Sequence, residues 1–174
     1  MLRVWKYLNT KRIAQFTKAN MNRVYYTADH INSFILNIAR KMYKDNFRPD
    51  YIVAIARGGL VPAVKLSHYL DIPMYALNKE ESNFWIPEDA LEGKHILVID
   101  DINDTGATIR KLKEEWTESQ GDWSKIFHVG NVKFATLIDN EASEQSVDYA
   151  GFTINKFENP EWCVFPWEDW WNIV

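Results

Sequence analysis

Apolar residues recur along the chain in blocks of two kinds. From Thr27 to Asn46 they fall at Ile31, Phe34, Ile35, Ile38, Ala39 and Met42. That spacing puts all of them on one helical face. Thr27 is placed to cap this helix, Asp29 suits its first turn, and Lys41 and Lys44 suit its last. Pro49 follows and stops it. The next block, Tyr51–Ala56, is continuously apolar and β-rich, as in a strand buried on both faces. Arg57, Gly58 and Gly59 then turn the chain. Leu60 to Leu70 predicts a second helix, with Pro62 tolerated in its first turn.

The same two patterns continue. Pro73–Leu77 reads as a second strand and residues 78–94 as a polar, acidic loop. His95–Ile99 is a third buried strand, and it runs into an Asp-rich turn over Asp100–Thr108. A helix follows from about Ile109 to Glu118, then a fourth strand over Asn131–Ile138. After Tyr149 the chain is extended and aromatic, with Pro160 and Pro166. Strands alternating with helices imply an α/β fold with an open, mostly parallel sheet flanked by helices. No internal repeat, low-complexity linker or domain boundary interrupts residues 25–174, so they read as one domain, with a small C-terminal hood mainly over 150–171.

Composition narrows this picture. The 174 residues carry a formal net charge of −4 and are 47% hydrophobic, an ordinary globular balance. No apolar run approaches the roughly 18 residues of a membrane helix. The single Cys163 excludes an intrachain disulfide and suits a reducing, cytoplasmic setting. His30, His68, His95 and His128 are too far apart for a zinc spacing. The charge is uneven: residues 1–50 hold ten basic and three acidic side chains, and residues 1–28 hold no acid at all. The basic segment 1–24 reads as a solvated N-terminal extension packed by its own apolar residues. A nucleic-acid arm is the less favoured reading, since charge runs alone are weak signals. There are 8 Trp but only 7 Gly, and Trp162, Trp167, Trp170 and Trp171 crowd the C-terminus.

The Asp-rich turn carries the chemistry. Ligands of open parallel sheets bind beyond the carboxyl ends of the strands, where Asp100 and Asp101 fall. Asp104-Thr105-Gly106-Ala107-Thr108 then leads into a helix. Helix N-terminal N–H groups, a Gly that permits close approach and two Thr hydroxyls make a phosphate cradle. Adjacent carboxylates suit a sugar diol or the shell of a hard cation such as Mg²⁺. A calcium loop fails, because its twelfth position is Leu112. A Walker loop fails, because Gly93-Lys94 is followed by His95. A dinucleotide fingerprint fails, because no third Gly follows Gly58-Gly59. Three Asp within five residues repel one another unless a ligand or cation compensates.

Ile96–Thr108, an apolar strand followed by two acids and Asp-Thr-Gly-x-Thr, resembles the phosphoribosyl pyrophosphate (PRPP) motif of type I phosphoribosyltransferases. Ile52–Ala63, reading IVAIARGGLVPA, resembles the pyrophosphate loop of their xanthine–guanine and hypoxanthine branch. Trp162–Glu168, reading WCVFPWE, resembles the C-terminal base-binding segment of that branch. The three stand in the family's order and span about residues 25–171.

The resemblance implies that PRPP donates phosphoribose to a purine-like nucleobase, with release of pyrophosphate. By that likeness Asp104, Thr105, Gly106, Ala107 and Thr108 hold the 5′-phosphate, and Asp100 and Asp101 the ribose hydroxyls. Asp101 is the contact to the Mg²⁺ shell. Arg57 and Gly58 meet the pyrophosphate, beside a peptide that is often cis in the family. Asp104 is the candidate general base. Trp162 stacks on the base, and the backbones of Cys163 and Val164 read its edge. A lid over Asn78–Leu91 would exclude water, with Lys79 near the pyrophosphate. Homo-oligomers are common in the family. The chain departs from the pattern at Asp139-Asn140, where 6-oxopurine enzymes carry a Lys. Asn140 is the uncharged substitute donor to the base, and the base itself is left open. The alternative is a non-enzymatic PRPP-binding regulator on the same fold.

Overall fold

A computed structural model describes residues 21–78, 85–118, 130–168 and 170–172. They fall into two compact units, one built from residues 29–154 and the other from the two ends, 1–28 and 155–174. The basic segment before residue 21, and Lys79 with its neighbours, lie outside the described residues.

The larger unit is a parallel sheet with helices. Helix α1 (Ala28–Lys44) buries Ile31, Phe34, Ile35, Ile38, Ala39 and Met42, the stripe its spacing predicts. Strand β2 (Tyr51–Ile55) is buried at every position. Helix α2 (Leu60–Leu70) and strand β3 (Met74–Leu77) follow. Helix α3 (Trp85–Leu91) comes next, then β4 (Ile96–Asn103), α4 (Ala107–Glu118), β5 (Val132–Asn140) and β6 (Tyr149–Ile154). The sheet order is β3-β2-β4-β5-β6, with every neighbouring pair parallel.

Alternation along the strands divides the core. Val53, Ile55, Val98 and Phe134 pack with Ile86 and Ala90 of α3 and with Ile109, Leu112 and Trp116 of α4. The intervening positions Ile52, Ala54, Leu97 and Ile99 are equally dry and point to the other face. Edge strand β6 would otherwise present bare carbonyls to solvent. Helix α1 covers it: Lys41 donates to the Ala150 carbonyl at 2.7 Å and Asn37 to that of Gly151 at 3.2 Å. Gly151 permits this approach, since a Cβ there would lie 2.6 Å from Cβ of Phe34.

Two expected boundaries move. The loop assigned to 78–94 contains helix α3, whose Ile86 and Ala90 are buried in the core. That half of the proposed lid is therefore anchored. Its acidic residues hid the short apolar pair that docks it. Strand β4 does not stop at Ile99 but runs on through Asn103, with Asp100 opposite Thr136, Ile102 opposite Ile138 and Asn103 opposite Asp139. Pairing with β5 carries the strand past the point where its hydrophobic pattern ends.

The smaller unit is a two-stranded parallel sheet. Strand β1 (Asn22–Tyr25) pairs with β7 (Glu161–Val164), with Arg23 opposite Trp162 and Tyr25 opposite Val164. Strand β1 thus begins inside the segment read as an extension. Four residues without clear alternation give no strand signal of their own.

Candidate active site

The strand order reverses at β2. The chain passes from β2 to β3 on one side and then crosses to β4 on the other. The carboxyl ends of β2 and β4 therefore flank a topological switch point, where open α/β sheets form their ligand crevice. Both predicted anion loops open there.

After β2 the chain makes a cis peptide between Ala56 and Arg57. The turn is held by Gly59 N–H on the Ile55 carbonyl (2.9 Å) and by Leu60 N–H on that of Arg57 (3.2 Å). Arg57 is exposed. A Cβ on Gly59 would collide with the Ile99 carbonyl, and it would lie 2.9 Å from the backbone N of Ile55. The two strand ends are thus packed backbone to backbone. A Cβ on Gly58 would fall among the carboxylate atoms of Asp101. The loop after β2 and the acidic pair thus meet, through residues 43 positions apart in the sequence.

The acidic pair is locally ordered. The Asp101 N–H donates to Oδ1 of Asp100 at 2.9 Å, and the Ile102 N–H to Oδ1 of Asp101 at 2.8 Å. Asp100 is buried and Asp101 half-buried.

The phosphate turn follows. Gly106 has φ +83°, a left-handed conformation that favours glycine. A Cβ there would also meet N of Gln145 at 2.7 Å and Oγ of Ser143 at 2.9 Å. Thr105 and Ala107 are exposed while Gly106 is buried. The Arg110 N–H donates to the Gly106 carbonyl at 2.9 Å and so joins the turn to α4. The Ala107 N–H reaches the Thr105 hydroxyl at 3.4 Å.

Further contacts to this turn come from the end of β5 and from the connection to β6, of which the sequence singled out Asp139-Asn140 but not residues 141–145. The Asn140 amide, 6% exposed, donates to the Asp104 carbonyl at 2.8 Å. The Glu144 N–H donates to the Thr105 carbonyl at 3.3 Å. Asn103, 3% exposed, donates to Oδ1 of Asp139 at 2.7 Å and to the Gln145 carbonyl at 2.6 Å, and accepts from the Ser143 hydroxyl at 3.0 Å. Arg110 and Glu144 form an ion pair alongside. Asn140, expected as a donor to the base, is buried with its amide on the Asp104 carbonyl, because the β5 end lies next to β4.

The other residues expected at the base, Trp162, Cys163 and Val164, lie in the smaller unit, on β7. Trp162 is half-buried, with Nζ of Lys156 5.9 Å from its ring centre. Cys163 and Val164 are buried. The Tyr26 hydroxyl donates to Oε1 of Glu161 at 3.4 Å. Burial, then the neighbouring Cys163 and Glu161, push that phenol above its ordinary pKa. Phe165 and Trp167 stack at 4.9 Å, and Trp170 and Trp171 are exposed.

A parallel sheet with an acid pair and a left-handed Gly turn at its switch point is the plan of an α/β enzyme acting on a phosphorylated ligand. The phosphoribosyl transferase domain matches residues 25–169, and the chain belongs to that family. It is 26% identical over 140 residues to an orotate phosphoribosyltransferase of Brucella ovis, covering 79% of this chain and 69% of that protein. A purine phosphoribosyltransferase of Pyrococcus horikoshii is similar in structure, with TM-score 0.61 and 28% identity over 86% of this chain and 95% of that one. A xanthine-guanine-hypoxanthine phosphoribosyltransferase of Helicobacter pylori shares the fold, with TM-score 0.64 and 19% identity over 87% and 97% of the two chains. The protein is a phosphoribosyltransferase. No helix of the described residues is long and apolar enough to cross a membrane.

Proposed function

We propose that the enzyme transfers phosphoribose from PRPP to a purine-like nucleobase in nucleobase salvage. The observation that carries PRPP binding is the contact of Gly58 with the Asp101 carboxylate beside the Gly106 turn. It supports a reading in which the loop after β2 takes the diphosphate, the acid pair the ribose diol and the neighbouring Gly106 turn the 5′-phosphate. The likeness to the purine enzyme of Pyrococcus horikoshii, which covers 95% of that chain, supports a purine acceptor. The orotate relatives favour a pyrimidine as the second reading.

In this reading Asp104–Thr108 hold the 5′-phosphate and Asp100 and Asp101 hold the ribose hydroxyls. Arg57 and the Gly58 backbone bind the pyrophosphate. The C1′–O bond to pyrophosphate breaks as the C1′–N bond to the base forms. Arg57 and backbone N–H groups stabilise the negative charge that builds on the leaving group. The Asp104 carboxylate takes the proton that the base nitrogen loses. Trp162 stacks on the base, and the backbones of Cys163 and Val164 read its edge.

Mg²⁺ fits the acid pair by donor chemistry, since both side chains offer hard carboxylate oxygens. Among the described residues no cluster of three or more His, Cys, Asp or Glu is arranged to hold a metal. The ion would thus share its shell with substrate oxygens, as Mg²⁺ commonly does. Asp101, with Asp100 beside it, would hold it, and it would supply charge neutralisation at the diphosphate. The reading also includes a cytoplasmic setting and a homo-oligomer, for which exposed Trp170 and Trp171 offer a surface.

A panel of hypoxanthine, guanine, xanthine, adenine, orotate and uracil with PRPP and Mg²⁺ tests it by pyrophosphate release. Turnover with a purine is the expected result. Turnover with orotate alone selects the second reading. PRPP binding without turnover on any base overturns both.

A further inference from the structure

The first three carbonyls of the Asp104–Thr108 turn are all engaged by protein donors. Asp104 O accepts from the Asn140 amide at 2.8 Å, Thr105 O from the Glu144 N–H at 3.3 Å, and Gly106 O from the Arg110 N–H at 2.9 Å. A turn whose carbonyls are held in this way cannot rotate to aim one at an anion. Its N–H groups are then the polar groups a phosphate meets. Two of the three donors come from residues 140–145, the end of β5 and the connection to β6. This segment is itself tied to β4 through all the polar atoms of the Asn103 side chain. The segment also packs on Gly106, whose missing side chain leaves just the room for Gln145 and Ser143.

The bond from Asn140 is the one of the three made by a side chain, whose Oδ1 also accepts from the Ala142 N–H at 3.3 Å, so substitution can remove it. We propose that Asn140 is a positioning residue of the phosphate cradle: its buried amide fixes the Asp104 carbonyl and so presets the turn for the 5′-phosphate. Ser143, which donates to Asn103, supports it one step further out. This inference rests on the PRPP reading above. It departs from the resemblance, which puts this position at the base.

The consequence is selective. A preset cradle strengthens every ligand that carries the sugar 5′-phosphate and leaves a bare diphosphate unaffected. Calorimetry on the full chain with Mg²⁺ and three probes separates the two: PRPP, ribose 5-phosphate and inorganic pyrophosphate. Asn140→Ala should weaken PRPP and ribose 5-phosphate by a similar factor, about 5- to 150-fold, the range for taking the partner from a hydrogen-bonding group. Pyrophosphate affinity should stay within about twofold, since nothing it touches has changed. Asn140→Asp keeps the volume but sets a carboxylate against the carbonyl, and should weaken the same two ligands further. Should Asn140→Ala fail to fold, Ser143→Ala at the partly exposed end of the network should give the same selectivity at smaller size.

Unchanged ribose 5-phosphate affinity in Asn140→Ala, with wild-type protein binding normally, overturns the inference and leaves the PRPP reading intact. Equal weakening of all three probes also overturns it, because that marks general disruption. Wild-type protein that binds neither PRPP nor ribose 5-phosphate overturns the PRPP reading and this inference with it.

Discussion

The Asp101 carboxylate occupies the space that a side chain on Gly58 would fill. One residue ends a strand-to-helix turn and the other sits on the neighbouring strand. Their contact makes two anion-handling loops into one site. Gly58→Ala should displace the carboxylate, the mobile partner of the pair, and leave the fold standing. A weakening of PRPP by tenfold or more, about 1.4 kcal/mol, is expected in calorimetry with little change in melting temperature.

Gly59→Ala is expected to behave in the opposite way. Its Cβ would meet the backbone of Ile99 and Ile55, which has no rotamer to change. Overpacking of this kind costs about 1–3 kcal/mol. Thermal unfolding should show the loss whether or not PRPP is present.

Asp104→Asn should separate binding from chemistry. The amide keeps the size of the carboxylate but cannot take the proton from the base. Turnover should fall by about 10²–10⁴-fold, the usual contribution of a general base, with PRPP affinity nearly unchanged. Retained turnover removes Asp104 from that role.

Trp162→Ala should raise the KM for the base and leave that for PRPP alone. Base–aromatic stacking contributes about 1–3 kcal/mol, so roughly 5- to 150-fold is expected in steady-state kinetics with PRPP saturating. Equal effects on both substrates would speak against stacking.

Stability should bend at both ends of the pH range through one network. The Lys94 ammonium bonds the Asp89 carboxylate at 2.6 Å and holds its pKa below the usual range, helped by the Tyr51 hydroxyl at 2.8 Å. The unfolded carboxyl gains its proton at about pH 4, before the folded one does. Stability is thus present above that pH and is lost as the pH falls through the folded value. Burial, then the bond to Asp89, push the Tyr51 hydroxyl up. The unfolded phenol ionises at about pH 10 while the folded one stays neutral, so stability is lost as the pH rises past that point. In denaturant titrations across pH, Asp89→Asn should flatten the acid limb and Tyr51→Phe the alkaline one.

Local periodicity and spacing made much of this protein legible from residues alone. The stripe from Ile31 to Met42 is the buried face of α1, and the run from Tyr51 to Ile55 is a strand dry on both sides. Asp100, Asp101 and Asp104–Thr108 stood out because three acids around a Gly have no cheap structural explanation. Such signals lie within a few neighbouring residues, so they survive without tertiary context. Only the tertiary structure decided the rest. Pairing with β5 extended β4 through Asn103, and pairing with β7 made a strand of Asn22–Tyr25. Docking of Ile86 and Ala90 turned an acidic loop into α3. Packing beside the turn brought Asn140 onto the Asp104 carbonyl, and Gly58 onto Asp101 across 43 positions. Each of these depends on hydrogen bonds or contacts between segments distant in the chain, whose partners no local pattern names.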